Sequence, residues 1–280
     1  MKQLIKRYPV LTFFILTTAL GWIAVMVGIT AMPIDEEHEM TAMHGILVFL
    51  IASPSVIGIV LTAVIDGRAG LKEMFSRVVR WRVSPVWYAL ALILPFSIMG
   101  LGYLVQGLLG GPLAPINFVE QLVFFLPFGL MAPLFEEFGW RGFALPRLQR
   151  RHNALVSALI VGLGWALWHA TVNYMGKVAQ YRTTIVPWLL LWSQFNFTQS
   201  VFLSWLHNNT KNSMLLVLLG HFSITMSNML GLPSPTAGDE LRATLVNVAL
   251  YWLVAIAIII ATGYKRLVRE SRSEEVSSSR

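Results

Sequence analysis

The chain has no cysteine among its 280 residues, and only 12% of its residues are charged. Without cysteine there is no disulfide, no Cys-ligated zinc or iron–sulfur centre and no thiol nucleophile. A soluble domain carries about 25% charged residues, so this chain has too few to cover a surface in water. What it has in excess is apolar residues, which make up 56% of the total. The composition excludes an ordinary soluble enzyme and indicates a membrane protein.

Long apolar runs recur along the chain, separated by short charged segments. A helix needs about 20 mainly apolar residues to cross the hydrocarbon core of a bilayer. We therefore predict an all-α, polytopic membrane helix bundle that forms a single integral membrane domain over residues 1–280. The first run is too long for a signal peptide and lacks a small-residue cleavage site, so we expect it to stay as an anchor. The eight predicted spans are Val10–Met32, Met43–Ile65, Val86–Leu109, Phe118–Phe135, Ala154–Met175, Ile185–Leu206, Ser213–Leu232 and Ala243–Tyr264.

The basic residues test this layout independently. With the N-terminus in the cytoplasm, 18 of the 21 Lys and Arg residues fall on the inner side and only Lys177, Arg182 and Arg242 fall outside. Cytoplasmic loops of membrane proteins carry such an excess. The sequence thus predicts that both termini lie on the cytoplasmic side of the membrane. The asymmetry also accounts for the net charge of +7, so no nucleic acid partner is expected.

Three segments outside the spans have simple interpretations. The acidic stretch Asp35–His44 is predicted to be a solvated outer loop rather than a metal site. Residues 66–82 have the pattern of an amphipathic helix whose basic residues meet anionic lipid. The charged, Ser-rich tail, residues 270–280, is predicted to be a disordered cytoplasmic end.

Ionisable groups inside apolar spans are the candidates for function, because a charge at bilayer depth costs about 2.5–3.5 kcal/mol on insertion scales. Glu136, Glu137 and Arg141 close the fourth predicted span, His169 lies in the fifth and His221 in the seventh. Two structural alternatives stay open at this point. The glutamates could lie in a solvated loop, and each histidine could be a core residue bonded to a neighbour.

Helical spacing assigns different surroundings to the two glutamates. Glu137 and Arg141 are four residues apart, so they share a helix face and can form an ion pair. Glu136 is turned by about 100° from Glu137 and can point into the bundle. Span directions bring Glu136, His169 and His221 together in the inner half to the middle of the bilayer. Such a set can activate water and stabilise an oxyanion, either with a divalent metal such as Zn²⁺ or with no metal.

The motifs Glu136-Glu137-x-x-x-Arg141, Trp165-x-x-x-His169 and His221 resemble those of the CPBP family, the CAAX protease and bacteriocin-processing (Abi) intramembrane proteases that include the type II CAAX prenyl endopeptidase. The flanking sequences from Phe138 and from Asn208 are similar as well. The resemblance implies a membrane bundle of about eight helices with a cavity open to the cytosol. It marks residues 118–232 as the catalytic core.

The resemblance also implies a role for each residue. Glu136 matches the glutamate that activates water with help from His169, and His221 matches the histidine that stabilises the oxyanion. Glu137 and Arg141 match the supporting pair. The family commonly has Asn four residues after that histidine, where this chain has Thr225. Either the Thr225 hydroxyl or the carboxamide of Asn228 is then expected to supply the missing hydrogen bond.

These observations favour an intramembrane endopeptidase, a hydrolase that cuts a membrane-associated protein or peptide near the cytoplasmic face. The departure at Thr225 leaves open a second class, a non-proteolytic membrane factor on the same scaffold with a role in bacteriocin self-immunity or assembly. A third class, a proton-coupled transporter, also uses buried Glu and His. The paired half-repeats that many transporters show are not evident in this chain.

Overall fold

The computed structural model of this protein describes residues 2–31, 40–113, 118–231 and 234–268. Every regular element within these ranges is helical, as the apolar runs predict. The acidic residues Asp35–Glu39 and the tail 270–280 lie outside the described residues. The long helices are α2 (Pro9–Ala31), α3 (Met40–Ser76), α4 (Pro85–Leu108), α5 (Phe118–Glu137), α7 (Ala154–Tyr181), α8 (Ile185–Asn209), α9 (Met214–Leu230) and α10 (Ala237–Thr262). The short elements are α1 (Lys2–Arg7), α6 (Leu145–Leu148), two 3₁₀ turns (Arg77–Val79 and Arg182–Thr184) and a π-helix (Phe138–Ala144).

Each of the eight predicted spans coincides with one long helix, but not all of them are equally apolar. Five described stretches are long and apolar enough to cross a membrane, and Pro9–Ile23 and Met214–Leu230 form shorter apolar helices. Helix α8 is not among them, because it carries a series of polar residues. The five long stretches are Ala52–Val79, Pro85–Leu108, Val119–Leu148, Ala154–Thr171 and Ala237–Thr262.

The predicted end of the fourth span at Phe135 is wrong. Helix α5 runs into the π-helix and then into α6, which gives one helical stretch of 30 residues, Val119–Leu148. The change of winding is visible in the bond from the Leu145 N–H to the Trp140 carbonyl, five residues back. All seven residues of the π-helix are buried. Arg141, which the charge count assigned to an inner loop, is therefore part of the protein interior.

Helix α3 also continues past its predicted end at Ile65. It reaches Ser76 with a break at Gly67, whose φ of 63° lies in the region that glycine adopts most readily. The predicted amphipathic segment 66–82 is thus the second part of α3 followed by a 3₁₀ turn. At the other end of the same helix, residues 40–44 of the predicted outer loop are already helical.

Neighbouring long helices are joined in a closed series of contacts. In order of contact the series runs α2, α3, α5, α9, α4, α10, α8, α7 and back to α2. The π-helix contacts α2, α3, α7 and α9, so the chain around Glu137 lies where these helices meet. Its approach to α3 depends on glycine. A Cβ on Gly58 would lie 2.7 Å from the Cα of Gly139, and a Cβ on Gly139 would overlap the carbonyl of Pro54.

Contacts between connecting segments gather the basic loops at one end of the bundle. Arg147 pairs with Asp66, and Arg80 donates to the Lys211 carbonyl. The Ala154 N–H donates to the Lys265 carbonyl. These contacts bring the segments that follow α3, α6, α8 and α10 together at one end of the bundle. At the opposite end, Lys177 pairs with Glu240.

Candidate active site

Glu137, Arg141 and His221 form one fully buried hydrogen-bonded cluster. The Nη1 of Arg141 donates to Oε1 of Glu137 over 2.8 Å, which is the ion pair that the spacing predicts. The same oxygen lies 2.7 Å from Nδ1 of His221 on α9. Glu137 and Arg141 are both 0% exposed, which rules out the alternative of a solvated loop. The cluster ties the end of α5 and the π-helix to α9.

Glu136 lies beside this cluster but has different partners. Its Oε2 accepts a hydrogen bond of 2.6 Å from Nε1 of Trp165 on α7. The Nε2 of His169, one helical turn further along α7, is 3.9 Å from the same oxygen, beyond direct hydrogen-bond distance. Glu136 is 3% exposed, and the hydrogen bond that it accepts from the described residues reaches its Oε2. Within the described part of the chain this carboxylate thus has one oxygen that is held by a donor and one, Oε1, that is not.

Trp165 contacts both Glu136 and the cluster around Glu137, and the motif alone does not reveal this role. While its Nε1 donates to Glu136, its ring lies under the guanidinium of Arg141, with 4.7 Å between Cζ and the ring centroid. The ring of His221 meets Trp165 edge to face at 5.2 Å. A cation over an indole ring is attracted by the π-electrons, which helps to keep Arg141 buried.

His169 is the more accessible of the two histidines, with 23% of its side chain exposed. The rings of Trp168 and Trp192 pack against it at 4.9 and 5.1 Å. Trp192 belongs to α8 and also lines a cavity of about 200 Å³ between α4, α8, α9 and α10. Trp192 therefore contacts both His169 and this cavity.

Thr225 and Asn228, the two candidates for an oxyanion donor, are placed differently. Thr225 is half-buried one turn beyond His221 on α9. Asn228 is exposed two turns beyond His221 and lines the same 200 Å³ cavity as Trp192. Neither side chain is hydrogen-bonded to the Glu137 cluster within the described residues. Their roles remain predictions.

Helix α8 contributes buried polar groups that the sequence reasoning missed. Successive members are three, five and three residues apart, which places them on one helix face, and each has at least one side-chain atom without a hydrogen-bond partner among the described residues. His207, the last of the series, is 2% exposed. The sequence feature that could have revealed them is the helical spacing of polar residues within an apolar run. The residues are Asn196, Gln199, Ser204 and His207.

A resident zinc ion does not fit the residues that the structure describes. Catalytic zinc sites use about three protein ligands, whereas no group of three or more His, Asp or Glu side chains in the described ranges is arranged to hold one metal ion. The imidazole nearest to the carboxylate of Glu136 is that of His169, whose Nε2 is 3.9 Å from Oε2 of Glu136.

Fold and site together define a helical membrane protein with a buried glutamate–histidine centre. Residues 118–227 match the family model for type II CAAX prenyl endopeptidase Rce1-like proteins. The chain is also similar to CAAX prenyl protease 2 of Methanococcus maripaludis, with 25% identity over 225 residues that cover 74% of this chain and 78% of the relative. Over residues 118–227 the chain is thus similar to the Rce1-like type II CAAX prenyl endopeptidases, a family of proteases. The CPBP resemblance is thereby confirmed.

Proposed function

We propose that this protein is an intramembrane endopeptidase that hydrolyses a peptide bond with a water molecule activated by Glu136. The observation that carries the proposal is the Glu136–His169 pair. A water hydrogen-bonded to both groups would lie about 2.8 Å from each, which is compatible with their separation of 3.9 Å. The unbonded Oε1 of Glu136 is available to accept the proton of such a water. The match of residues 118–227 to a protease family supports the same reaction class.

In the proposed reaction, Glu136 removes a proton from water and the oxygen attacks the carbonyl carbon of the substrate. The carbonyl oxygen becomes an oxyanion, and the C–N bond then breaks as the leaving nitrogen takes the proton from Glu136. The products are a carboxyl group and an amine. General acid–base catalysis of this kind contributes about 10²–10⁴ in rate.

The hydrogen bond to Glu137 limits what His221 can do. An ionised carboxylate only accepts, so Nδ1 of His221 must carry the proton that joins it to Oε1 of Glu137. Its Nε2 can then donate to an oxyanion only when the ring is doubly protonated. We infer that Glu137 has this function: it stabilises the imidazolium that faces the developing charge.

For the membrane orientation we propose eight crossing helices with both termini in the cytoplasm, in the plasma membrane of a prokaryotic cell. The gathering of basic loops at one end supports this orientation through the positive-inside rule. Glu136 is twelve residues from Leu148 and His221 is seven from Met214, or about 18 and 10 Å along their helices. Both groups then lie in the half of the bundle nearer the cytoplasm, where a membrane-associated protein or peptide would be cut.

The test is cleavage by purified protein in liposomes, with a farnesylated peptide that ends in a CAAX sequence and its unprenylated counterpart as probes. The name of the Methanococcus relative suggests the first probe. Glu136→Ala and His169→Ala are expected to lose cleavage of any probe that wild type cuts. His152→Ala, which removes an exposed histidine at the end of the bundle, serves as the matched control. Equal cleavage by all four proteins would disprove the mechanism.

A non-proteolytic role on the same scaffold is the second candidate, favoured by Thr225 at the position where the family commonly has Asn. It predicts that a cellular phenotype of the deletion strain, such as bacteriocin sensitivity, is restored equally by wild type and by Glu136→Ala. Restoration by wild type alone would support proteolysis. The transporter alternative predicts solute flux driven by a pH gradient in the same liposomes.

A further inference from the structure

A cationic cleft lies at the end of the bundle where the basic loops gather, apart from Glu136 and its partners. It is formed by the end of α1, the start of α2, the middle of α3, the end of α6 and the segment that follows α6, and its volume is about 330 Å³. Five cationic side chains line it with one carboxylate, which leaves a formal excess of four positive charges. The charged lining residues are Lys6, Arg7, Arg147, Arg150, Arg151 and Asp66.

The carboxylate does not neutralise the exposed cations. Asp66 is bonded to Arg147, whose Nη1 also donates to the Phe143 carbonyl over 3.0 Å and whose guanidinium lies 3.8 Å from the centroid of the Phe143 ring. These contacts hold the Arg147 side chain in place on one side of the cleft. The other four cations have no carboxylate partner in the described part of the chain, and the three arginines among these four can bind a phosphate through paired N–H donors.

The rest of the lining is mainly apolar, apart from Tyr8 and His152, and the apolar surface continues along α2. Leu11 lines the cleft and is 56% exposed, and Ile15, four residues further on the same helix face, is 57% exposed. Basic side chains at a helix start followed by an exposed apolar stripe match the order of groups in a phospholipid, with its phosphate first and its acyl chains next. An inorganic anion would use only the cationic part.

We propose that this cleft binds the phosphate headgroup of an anionic phospholipid, with an acyl chain along Leu11 and Ile15. Binding here is separate from the proposed proteolysis, because none of the cleft residues contacts Glu136, His169 or His221. A discrete site differs from the diffuse attraction that any basic membrane surface exerts on anionic lipids. At a discrete site, replacing the side chains of the cleft weakens lipid binding, whereas replacing side chains of the same charge elsewhere does not.

The experiment is native mass spectrometry of the detergent-purified protein with added phosphatidylglycerol, phosphatidylcholine or glycerol phosphate. The test variant is the double substitution Arg150→Gln/Arg151→Gln. The matched control is Arg68→Gln/Lys72→Gln, which removes the same charge from exposed side chains of α3 outside the cleft. Thermal unfolding of each variant without lipid verifies that it is folded.

We expect one tightly retained phosphatidylglycerol in wild type and in the control, and affinity about tenfold or more lower in the test variant. Phosphatidylcholine and glycerol phosphate are expected to bind at least about tenfold more weakly than phosphatidylglycerol to wild type. Equal losses in both double variants would show diffuse surface attraction and overturn the proposal. Equal binding of glycerol phosphate would overturn it as well, since the site would then recognise a free phosphate.

Discussion

Glu136 and Glu137 are adjacent in the chain, yet their surroundings differ in almost every respect. Oε1 of Glu137 has two partners, Arg141 at 2.8 Å and His221 at 2.7 Å, and the residue is fully buried. Glu136 has one direct partner, the indole N–H of Trp165, and a histidine that is 3.9 Å away. A carboxylate held by a cation is a poor base, whereas one held by a neutral donor keeps a free oxygen for a proton. The first arrangement suits a structural and orienting role and the second suits chemistry.

The largest expected effect on stability belongs to Glu137→Gln. It leaves the Arg141 guanidinium buried without its anion, and removal of one partner of a buried pair costs about 3–5 kcal/mol. We expect a reduction of that size in the free energy of unfolding, measured by denaturant titration in detergent micelles.

A double variant sharpens this prediction. In Glu137→Leu/Arg141→Met both charges are replaced by apolar side chains, which is often much less destabilising than removing one partner. The double variant is therefore expected to be more stable than Glu137→Gln. If Glu137→Gln unfolds like wild type, the cluster is not what holds α5 against α9.

A smaller effect, on rate rather than on stability, is expected for Trp165→Phe. The substitution keeps an aromatic ring under Arg141 but removes the donor to Glu136, and a hydrogen bond to a charged group contributes about 1.5–3 kcal/mol. We expect cleavage to slow about tenfold to a hundredfold, measured as kcat. Trp168→Phe is the matched control, since the Trp168 indole donates to Ser53 instead. Equal losses in both variants would mean that Trp165 acts only through packing.

A modest gain is expected for Thr225→Asn. The position is one turn beyond His221 on the same face of α9, so a carboxamide there adds a donor near the proposed oxyanion. Since the Thr225 hydroxyl already offers one donor, we expect an increase of about two- to tenfold in kcat. This increase is smaller than the loss of rate that follows removal of a donor from an oxyanion hole. A tenfold decrease would show that Thr225 has a function that asparagine does not replace.

The smallest effect is expected for removal of metal ions. The described residues near Glu136 do not make up a three-ligand zinc site. Dialysis against a chelator is therefore expected to change cleavage by less than about twofold, with elemental analysis of the same sample. Loss of activity that added Zn²⁺ restores would contradict this prediction and would place a metal beside Glu136.

Much of the helical framework could be predicted from the sequence, because the hydrophobic runs themselves define the helices. The Glu137–Arg141 pair followed from four-residue spacing, although the helix changes to π winding directly after Glu137. The end of the fourth span could not be predicted. Hydropathy treats Glu136, Glu137 and Arg141 as marks of a boundary, whereas the folded chain buries these charges against one another and against Trp165.

The burial of the polar face of α8 could not be predicted from hydropathy either. Asn196, Gln199, Ser204 and His207 lower the hydropathy of the run, and only the packing of α8 against α7, α9 and α10 reveals that they face the interior. Likewise the donor that holds Glu136 comes from a residue 29 positions away in the chain. Contacts between distant segments depend on tertiary packing, which local patterns do not encode.

The most direct test of the central claim is the Glu136→Gln variant, assayed for peptide cleavage and thermal unfolding on one sample. The amide preserves the shape of the side chain and can still accept from Trp165, but it cannot take a proton from water. We predict cleavage lower by about 10²–10⁴ with an unfolding midpoint within a few degrees of wild type. Cleavage near the wild-type rate, in a variant that is folded, would contradict the assignment of Glu136 as the base.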